Sequence, residues 1–469
     1  MNIKIIATKQ MYEDMRNKLF PENDPLEQFG FIITGISRNS NGCNLLCRKF
    51  IYADKSCLIK QSRVSVSPDP RFVRYVWGIV KECNAALITV HTHPFAKNNV
   101  SFSGIDDNSE AKGFPNEVEF LGEGPHANMV LGTNCFDARW YNAKDRSVSP
   151  INEFRIIGED GVKILKPTSL HDFSHDRYGI KEIYDRQVLA FGKVGQALLQ
   201  KPVICIVGCG GIGSILTIQL ARLGVNKLIL IDHDRVEISN LNRLAGSKLS
   251  DAKFKRLKVQ MLANYIRKFN HNVQIQIVPE SIFSPRSQAA IKDADFIFGG
   301  TDNQSTRDIL NTNAIHHMIP YFDCGTGIKA DAKHNIEHAG GQVRIVIPGL
   351  ACLRCINGIN TDIAKMERLP EDQQQGMIQR GYIAGEDEHS PAVASLNGVI
   401  ANFAVTEFMG YITGCKPRFR YINYDFLKSF VVPVEFLKKS DCFSCSEDSL
   451  LGCGDGGLTL PEYAVACEV

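Results

Sequence analysis

Apolar and polar positions change rhythm along the chain. In the first part, short apolar runs are separated by polar turns. "FGFIITGIS", "NLLCRKFIYA" and "ALITVHTH" read as strands. "DPRFVRYVWGIVKECN" carries apolar residues at helical spacing after a Pro-Asp-Pro start, which predicts a helix. Residues 1–150 therefore form a first domain mixing strands and helix. Residues 151–177 are polar and rich in turn formers and are expected to be a linker. From about residue 178 the pattern becomes one of strands alternating with helices. "KPVICIVG", "KLILID", "QIQIVPE", "DFIFGGTD" and "IPYFDCG" are the strands, and helical periodicity lies between the early ones. Such alternation predicts a parallel sheet covered by helices. It extends to residue 446, and residues 447–469, glycine-rich at first, are expected to be a tail.

Length and composition narrow the class. The chain has 469 residues, too many for one ordinary domain. Apolar residues make up 44% and charged residues 22%, a globular balance. A net charge of +2 gives no basic field for nucleic acid. No apolar run reaches the roughly 18 residues that span a bilayer. The start, "MNIKIIATKQMYEDMRNK", is too polar and acidic for a signal peptide, so the expected compartment is the cytoplasm. Fifteen cysteines in such a chain are expected to be thiols or metal ligands rather than a disulfide framework. Two pairs have metal-ligand spacing: Cys352 and Cys355 in "CLRC", and Cys442 and Cys445 in "CFSC".

The stretch "LITVHTHPFAKNNVSFSGIDD" carries a first constellation. Residues i and i+2 of a strand share a face, so His91 and His93 are aimed into one space. Pro94 ends the strand, and Asp106 follows on a segment that can fold back. Two imidazoles and a carboxylate, with water as fourth partner, make an open zinc site suited to hydrolysis. Zinc lowers the pKa of a water toward ~7. Glu27 in "PLEQFG" is the candidate general base, and Ser103 the candidate donor to an oxyanion. A bare His-x-His is more often structural; the whole set shifts the balance. Together, Glu27, His91, His93, Ser103 and Asp106 resemble the JAB/JAMM metalloprotease family, over roughly residues 10–140. The resemblance implies cleavage of a peptide or isopeptide bond after the C-terminal glycine of a ubiquitin-like protein.

A second constellation begins at "CIVGCGGIGS". Gly208, Gly210 and Gly213, with Gly211 between, follow a strand and open a helix, which suits a phosphate. Asp232 ends the next strand, placed to accept ribose hydroxyls. These features alone suit a nicotinamide dehydrogenase. The residues beyond change that reading. Asn240, Arg243 and Lys258 are groups for a triphosphate, and Asp302 at the end of a later strand is placed to hold magnesium. Glycine loop, Asp-x-Asp (Asp232, Asp234), Ser-Asn-Leu-Asn-Arg and Thr-Asp-Asn, in that order, resemble the ThiF/MoeB and ubiquitin-activating superfamily, over roughly residues 178–446. The resemblance implies that Asp232 takes the ribose, that Asn240, Arg243 and Lys258 take phosphates, and that Arg186 is supplied by the partner subunit of a homodimer. It also implies attack of a C-terminal carboxylate on the α-phosphate of ATP. Cys352, Cys355, Cys442 and Cys445 complete the likeness as a closed structural zinc site. Many relatives then form a thioester, on a cysteine of a crossover segment that here has none; Ser390 stands near that place, and Cys324 and Cys415 are the remaining thiols weighed.

The expected whole is α/β: a JAB/MPN-like α+β domain followed by a Rossmann-like, doubly wound ThiF-type adenylation domain. ATP, magnesium and two zinc ions, one catalytic and one structural, are its expected cofactors. The partners implied are a ubiquitin-like or sulfur-carrier protein ending in glycine, a conjugating-enzyme-like protein and a second copy of the chain. Two alternatives stand beside this. The adenylate serves thiocarboxylate formation, or the first domain only docks the partner.

Overall fold

The computed structural model describes residues 1–170, 182–370, 373–374, 391–415, 419–446 and 449–456. Its first half contains the strands β1 (Asn2–Thr8), β2 (Phe29–Asn39), β3 (Gly42–Tyr52), β4 (Leu58–Gln61), β5 (Val66–Pro68), β6 (Ala86–Thr92), β7 (Ala127–Leu131), β8 (Phe136–Asn142), β9 (Ser147–Pro150), β10 (Glu153–Gly158) and β11 (Gly161–Leu165). Three helices join them: α1 (Lys9–Leu19), α2 (Pro70–Glu82) and α3 (Gly104–Leu121). Nine strands form one sheet in the order β11-β10-β1-β3-β2-β6-β7-β8-β9, and β4 and β5 form a separate hairpin.

The central strand β2 is apolar on both faces because both are covered. Ile32 joins Met15 and Leu19 of α1 in one cluster, while Phe31 and Ile33 join Phe72, Val76 and Val80 of α2 in another. Helix α2 starts where the sequence indicates: Asp69 caps it by accepting from the Arg71 N–H, and Pro70 occupies the first turn.

Residues 153–165, expected to lie in a linker, instead extend this sheet. β10 runs parallel to β1, and β11 folds back on β10. The "GEDG" turn and flanking charges give the segment its polar look, yet Phe154, Ile156 and Ile157 are buried.

The second half contains β12 (Val203–Val207), β13 (Lys227–Ile231), β14 (Gln274–Val278), β15 (Phe296–Gly299), β16 (Tyr321–Ala330), β17 (Ile336–Val346), β18 (Tyr421–Asp425) and β19 (Phe430–Pro433). Its helices are α4 (Asp185–Gln200), α5 (Gly211–Leu223), α6 (Leu249–Lys253), α7 (Lys258–Arg267), α8 (Pro285–Ile291), α9 (Gln304–His316), α10 (Thr361–Met366) and α11 (Ala394–Thr413). The sheet order is β14-β13-β12-β15-β16-β17-β18-β19. From β14 to β16 the strands are parallel; beyond β16 they are antiparallel. The chain builds outward from β12 through β13 and β14, then crosses to β15 on the other side. That reversal leaves a crevice at the carboxyl ends of β12 and β15.

The two halves share contacts. The Tyr411 hydroxyl donates to the Gly158 carbonyl at 2.9 Å, Arg155 pairs with Asp295, and Ser37 Oγ meets His317 Nδ1 at 2.9 Å. The start of the expected tail is built into this junction. Gly454 bridges Ile36 of β2 in parallel, and its N–H donates to the His316 carbonyl. Asp455 accepts from the Arg38 N–H and from Lys292. Residues 457–469 lie outside the described residues. No helix among the described residues is long and apolar enough to cross a membrane.

Candidate functional site

The N-terminal constellation assembles at the carboxyl end of β6, an interior strand of the first sheet. His91 lies within β6 and His93 just after it, and their rings stand 5.1 Å apart. Asp106 belongs to the first turn of α3, which folds back as the sequence expects. Its Oδ1 lies 3.3 Å from His91 Nε2 and its Oδ2 3.6 Å from His93 Nε2. Glu27, just before β2, brings Oε1 to 3.7 Å from His93 Nε2. All five expected residues are therefore neighbours.

The donor atoms of His91, His93 and Asp106 lie within 4.8 Å of one another. His91 Nε2 is buried and has no hydrogen-bond partner among the described residues. A buried acceptor nitrogen left unsatisfied beside a carboxylate fits a cation between them. Burial opposes the charge on Asp106, but the two imidazoles outweigh it and hold the carboxyl well below its usual range. Burial raises Glu27, against both histidines, and Asp106 raises His93.

Ser103, the expected donor to an oxyanion, stands at the start of α3. It caps α3, and its hydroxyl donates to Asp106 Oδ2 at 2.8 Å while its own N–H donates to the same oxygen at 2.6 Å. In this cap the Ser103 hydroxyl oxygen accepts from the Asp106 N–H at 3.3 Å, so Ser103 and Asp106 hold each other in place.

The second constellation gathers at the sheet's reversal point. Gly208 has φ +83°, and a side chain there would strike Thr301 and the Gly300 carbonyl. A Cβ at Gly213 would lie 1.7 Å from the Gly208 carbonyl oxygen. Gly210, which precedes α5, faces open space where a phosphate can approach the helix N-terminus. Gly211 abuts Asn397 of α11. Asp232 fixes the loop: Oδ2 accepts from the Cys209 N–H at 2.6 Å and Oδ1 from the Asp234 N–H at 2.7 Å.

The remaining expected groups lie on loops after β13 and β15. Asn240 ends a short 3-10 turn and accepts from the Glu237 N–H; Arg243 donates to the Ser239 carbonyl. Lys258 opens α7 and pairs with Asp234. Asp302 is exposed between β15 and the Asn303 cap of α9. Arg186 is exposed near the start of α4.

Sequence reasoning missed a buried support beneath this crevice. Asp323 of β16 accepts from Arg344 Nη2 at 2.5 Å, from Arg307 Nε at 3.2 Å and from the Tyr321 hydroxyl at 2.9 Å. Burial opposes its charge, but Arg344 and Arg307 keep its carboxyl below the usual value. Arg307 also donates to the Thr301 carbonyl, one residue before Asp302. Arg307 closes the "TDNQSTR" run, its only advance signal; Arg344 and Asn397 carry none.

Cys352 and Cys355 follow β17; Cys442 and Cys445 follow β19. Their sulfurs all lie within 4.8 Å, with 3.8 Å between Cys352 and Cys442 and 3.4 Å between Cys355 and Cys445. A tetrahedral zinc with ~2.3 Å bonds wants sulfurs about 3.8 Å apart, so the set fits. The Cys445 thiol beside it, above all, lowers the pKa of Cys352. Cys324 is fully buried, and that burial raises its thiol well above its usual value. Cys415 is exposed after α11, and Ser390 lies outside the described residues.

Known proteins share the second half. The adenylyltransferase and sulfurtransferase MOCS3 of Caenorhabditis briggsae is 30% identical over 37% of this chain and 41% of its own. The molybdopterin-synthase adenylyltransferase of Escherichia coli is 25% identical over 56% of this chain and 96% of its own. A crystal structure of E. coli MccB with ATP aligns at 18% identity and a TM-score of 0.46, over 58% of this chain and 76% of that one. The chain spans 41%, 57% and 52% of the length of the first curated relatives it matches. Residues 184–445 match the ThiF family, more than half of the chain and the whole stretch from the glycine loop to the last zinc-type cysteine, and the chain belongs to that family.

Proposed function

We propose that the second half, residues 178–446, adenylates the C-terminal glycine of a ubiquitin-like or sulfur-carrier protein, and that the first half hydrolyses bonds made through such a glycine. The observation that carries the first activity is the packing of the glycine loop against the Thr301–Asp302 loop at the reversal point of a ThiF-family sheet. In this reaction the glycine carboxylate oxygen bonds the α-phosphorus of ATP, and the bond to pyrophosphate breaks. Asp232 keeps lone pairs for ribose hydroxyls beyond the two backbone N–H groups it accepts. The amides around Gly210 and the start of α5 face phosphate. Asn240, Arg243 and Lys258 meet growing negative charge, Asp302 would hold magnesium, which supplies charge neutralisation there, and Arg186 of a second copy completes the set. With Cys324 buried, the adenylate passes directly to an external nucleophile or first to the exposed thiol of Cys415.

In the first half His91, His93 and Asp106 would hold zinc, which when bound supplies Lewis acidity toward a water and a carbonyl. Glu27, kept basic by burial, would take a proton from the attacking water and return it to the leaving amine. Ser103 holds Asp106 in place. The four cysteines would hold a structural zinc. Docking alone would not need the converging donor atoms.

The experiment for adenylation is ATP–pyrophosphate exchange with a small protein ending in glycine; wild-type protein giving no exchange would sink it. For hydrolysis, a fusion placed after that glycine should be cut, and His91→Ala should lose both cutting and one of two zinc ions. One zinc in both proteins would favour docking. Sulfur-carrier activation is the second reading, favoured by the sulfurtransferase and molybdopterin-synthase relatives. A thiocarboxylate, rather than a conjugate, as the final product would select it.

A further inference from the structure

Arg139 of β8 stands behind the His91/His93/Asp106 cluster without touching it. Its Nη2 lies 2.6 Å from Asp107 Oδ1, and its Nε lies 2.6 Å from Glu110 Oε2, at an angle that makes the second contact an ion pair rather than a directed hydrogen bond. Its guanidinium carbon sits 3.9 Å from the Phe102 ring centroid. Phe102 in turn lies 6.1 Å from the His91 ring. One planar group therefore grips the first two turns of α3 at Asp107 and Glu110, just after Asp106, and packs the aromatic ring beside His91. Glu110 is almost wholly buried, so its carboxylate has Arg139 as the counter-charge that tethers the helix to the sheet.

We propose that Arg139 is a positioning residue of the N-terminal centre. It sets α3 against β6 so that Asp106, His91 and His93 converge on one divalent cation. The inference rests on reading that cluster as a metal centre. A ligand set must be held within ~0.5 Å of its working geometry. Supporting residues of this kind are commonly worth ~10–100-fold in metal affinity. Lysine cannot replace the group: it is a point charge, without a face to stack on Phe102 and without a fork to reach Asp107 and Glu110 together.

The test uses the full-length chain, with His91→Ala as the reference for zinc held elsewhere. Zinc affinity is measured by competition with a chromogenic chelator, and cleavage of a fusion after a terminal glycine gives kcat and KM. Arg139→Met should weaken the His91-dependent zinc ~10–100-fold. It should also lower kcat at saturating zinc, with KM unchanged. Arg139→Lys should fold like wild type and still bind zinc more weakly than it. Guanidinium ion should restore part of the affinity to Arg139→Ala, which a general loss of packing would not allow. Wild-type affinity in both Arg139→Met and Arg139→Lys would overturn the proposal while leaving the metal centre standing. A wild-type chain holding no more zinc than His91→Ala would overturn the metal centre and this inference with it.

Discussion

The ammonium of Lys258 lies 2.7 Å from the Asp234 carboxylate, and the Lys258 N–H donates to the Asp234 carbonyl at 3.0 Å. The first residue of α7 is thus tied to the Asp-x-Asp turn that ends β13. Asp234 is half exposed, so the pair contributes under ~1 kcal/mol to stability. On the proposed function its value lies in aiming a cation at the crevice. Lys258→Ala should therefore lower ATP–pyrophosphate exchange by ~10²–10³-fold, the usual loss for one electrostatic group of a transition state. Its melting temperature should stay close to wild type. A fall in melting temperature that matched the loss of exchange would assign Lys258 to the scaffold.

The cysteine cluster should govern how the two halves hold together. Cys442 and Cys445 lie just ahead of the segment that bridges β2 and meets α9, where Gly452 donates to the Ile315 carbonyl and Arg48 to the Ser449 carbonyl. Releasing the cysteine anchor should free that segment. Cys445→Ser should lose one zinc per chain, and trypsin should then cut near Lys438 and Lys439. Calorimetry should show the first half unfolding separately. Asp455→Ala removes only the bonds to Arg38 and Lys292, so it should keep its zinc and cost about 1–2 kcal/mol. Metal loss with no new cleavage would separate the cysteine site from the junction.

Local patterns made the central strands and both constellations legible. The runs read as strands correspond to β2, β3, β6 and β12 to β16, because each is a short buried run ended by glycine, proline or charge. His91 and His93 were placed by the two-residue period of β6. What stayed hidden depends on distant partners. β10 looked like linker because its apolar residues alternate with Arg155 and Glu153, which are paired, with each other and with Asp295. The role of Ser103 depends on α3 starting at Gly104, and that start rests on Asp106 closing the cap. Arg344 and Asn397 reach Asp323 and Gly211 only after β17 and α11 have packed, so no motif announces them.

Glu117 of α3 and His126 form a buried pair, 3.8 Å apart. Burial pushes Glu117 up from 4.5 to about 8 and His126 down from 6.5 to about 4. A carboxyl with a raised folded pKa favours the protonated native state. Its stabilisation is present below 4.5 and is lost as pH rises toward 8. Histidine works the other way: the neutral ring is favoured, and stability falls as pH drops from 6.5 toward 4. Glu117→Gln keeps the shape and removes the ionisation. It should melt higher than wild type at pH 8, by about 2–4 °C for each kcal/mol recovered. At pH 5 the gain should nearly vanish. An equal gain at both values would mean that Glu117 does not titrate in the folded protein.

Arg186 stands exposed on the first half of α4, between Ile183, 65% exposed, and Leu189, 79% exposed. Two large apolar side chains beside a cation suit a helix covered by a second copy, as the family resemblance implies. If Arg186 acts across that interface, each active site draws Asp302 from one chain and Arg186 from the other. Arg186→Ala and Asp302→Ala should each abolish exchange alone. Mixed dimers of the two would place both lesions in one site and leave the other intact. Random mixing makes about half the dimers mixed, so about a quarter of wild-type exchange should return. Exchange that stays at zero, with mixed dimers shown to form by native mass spectrometry, would place Arg186 in the same site as its own chain's Asp302.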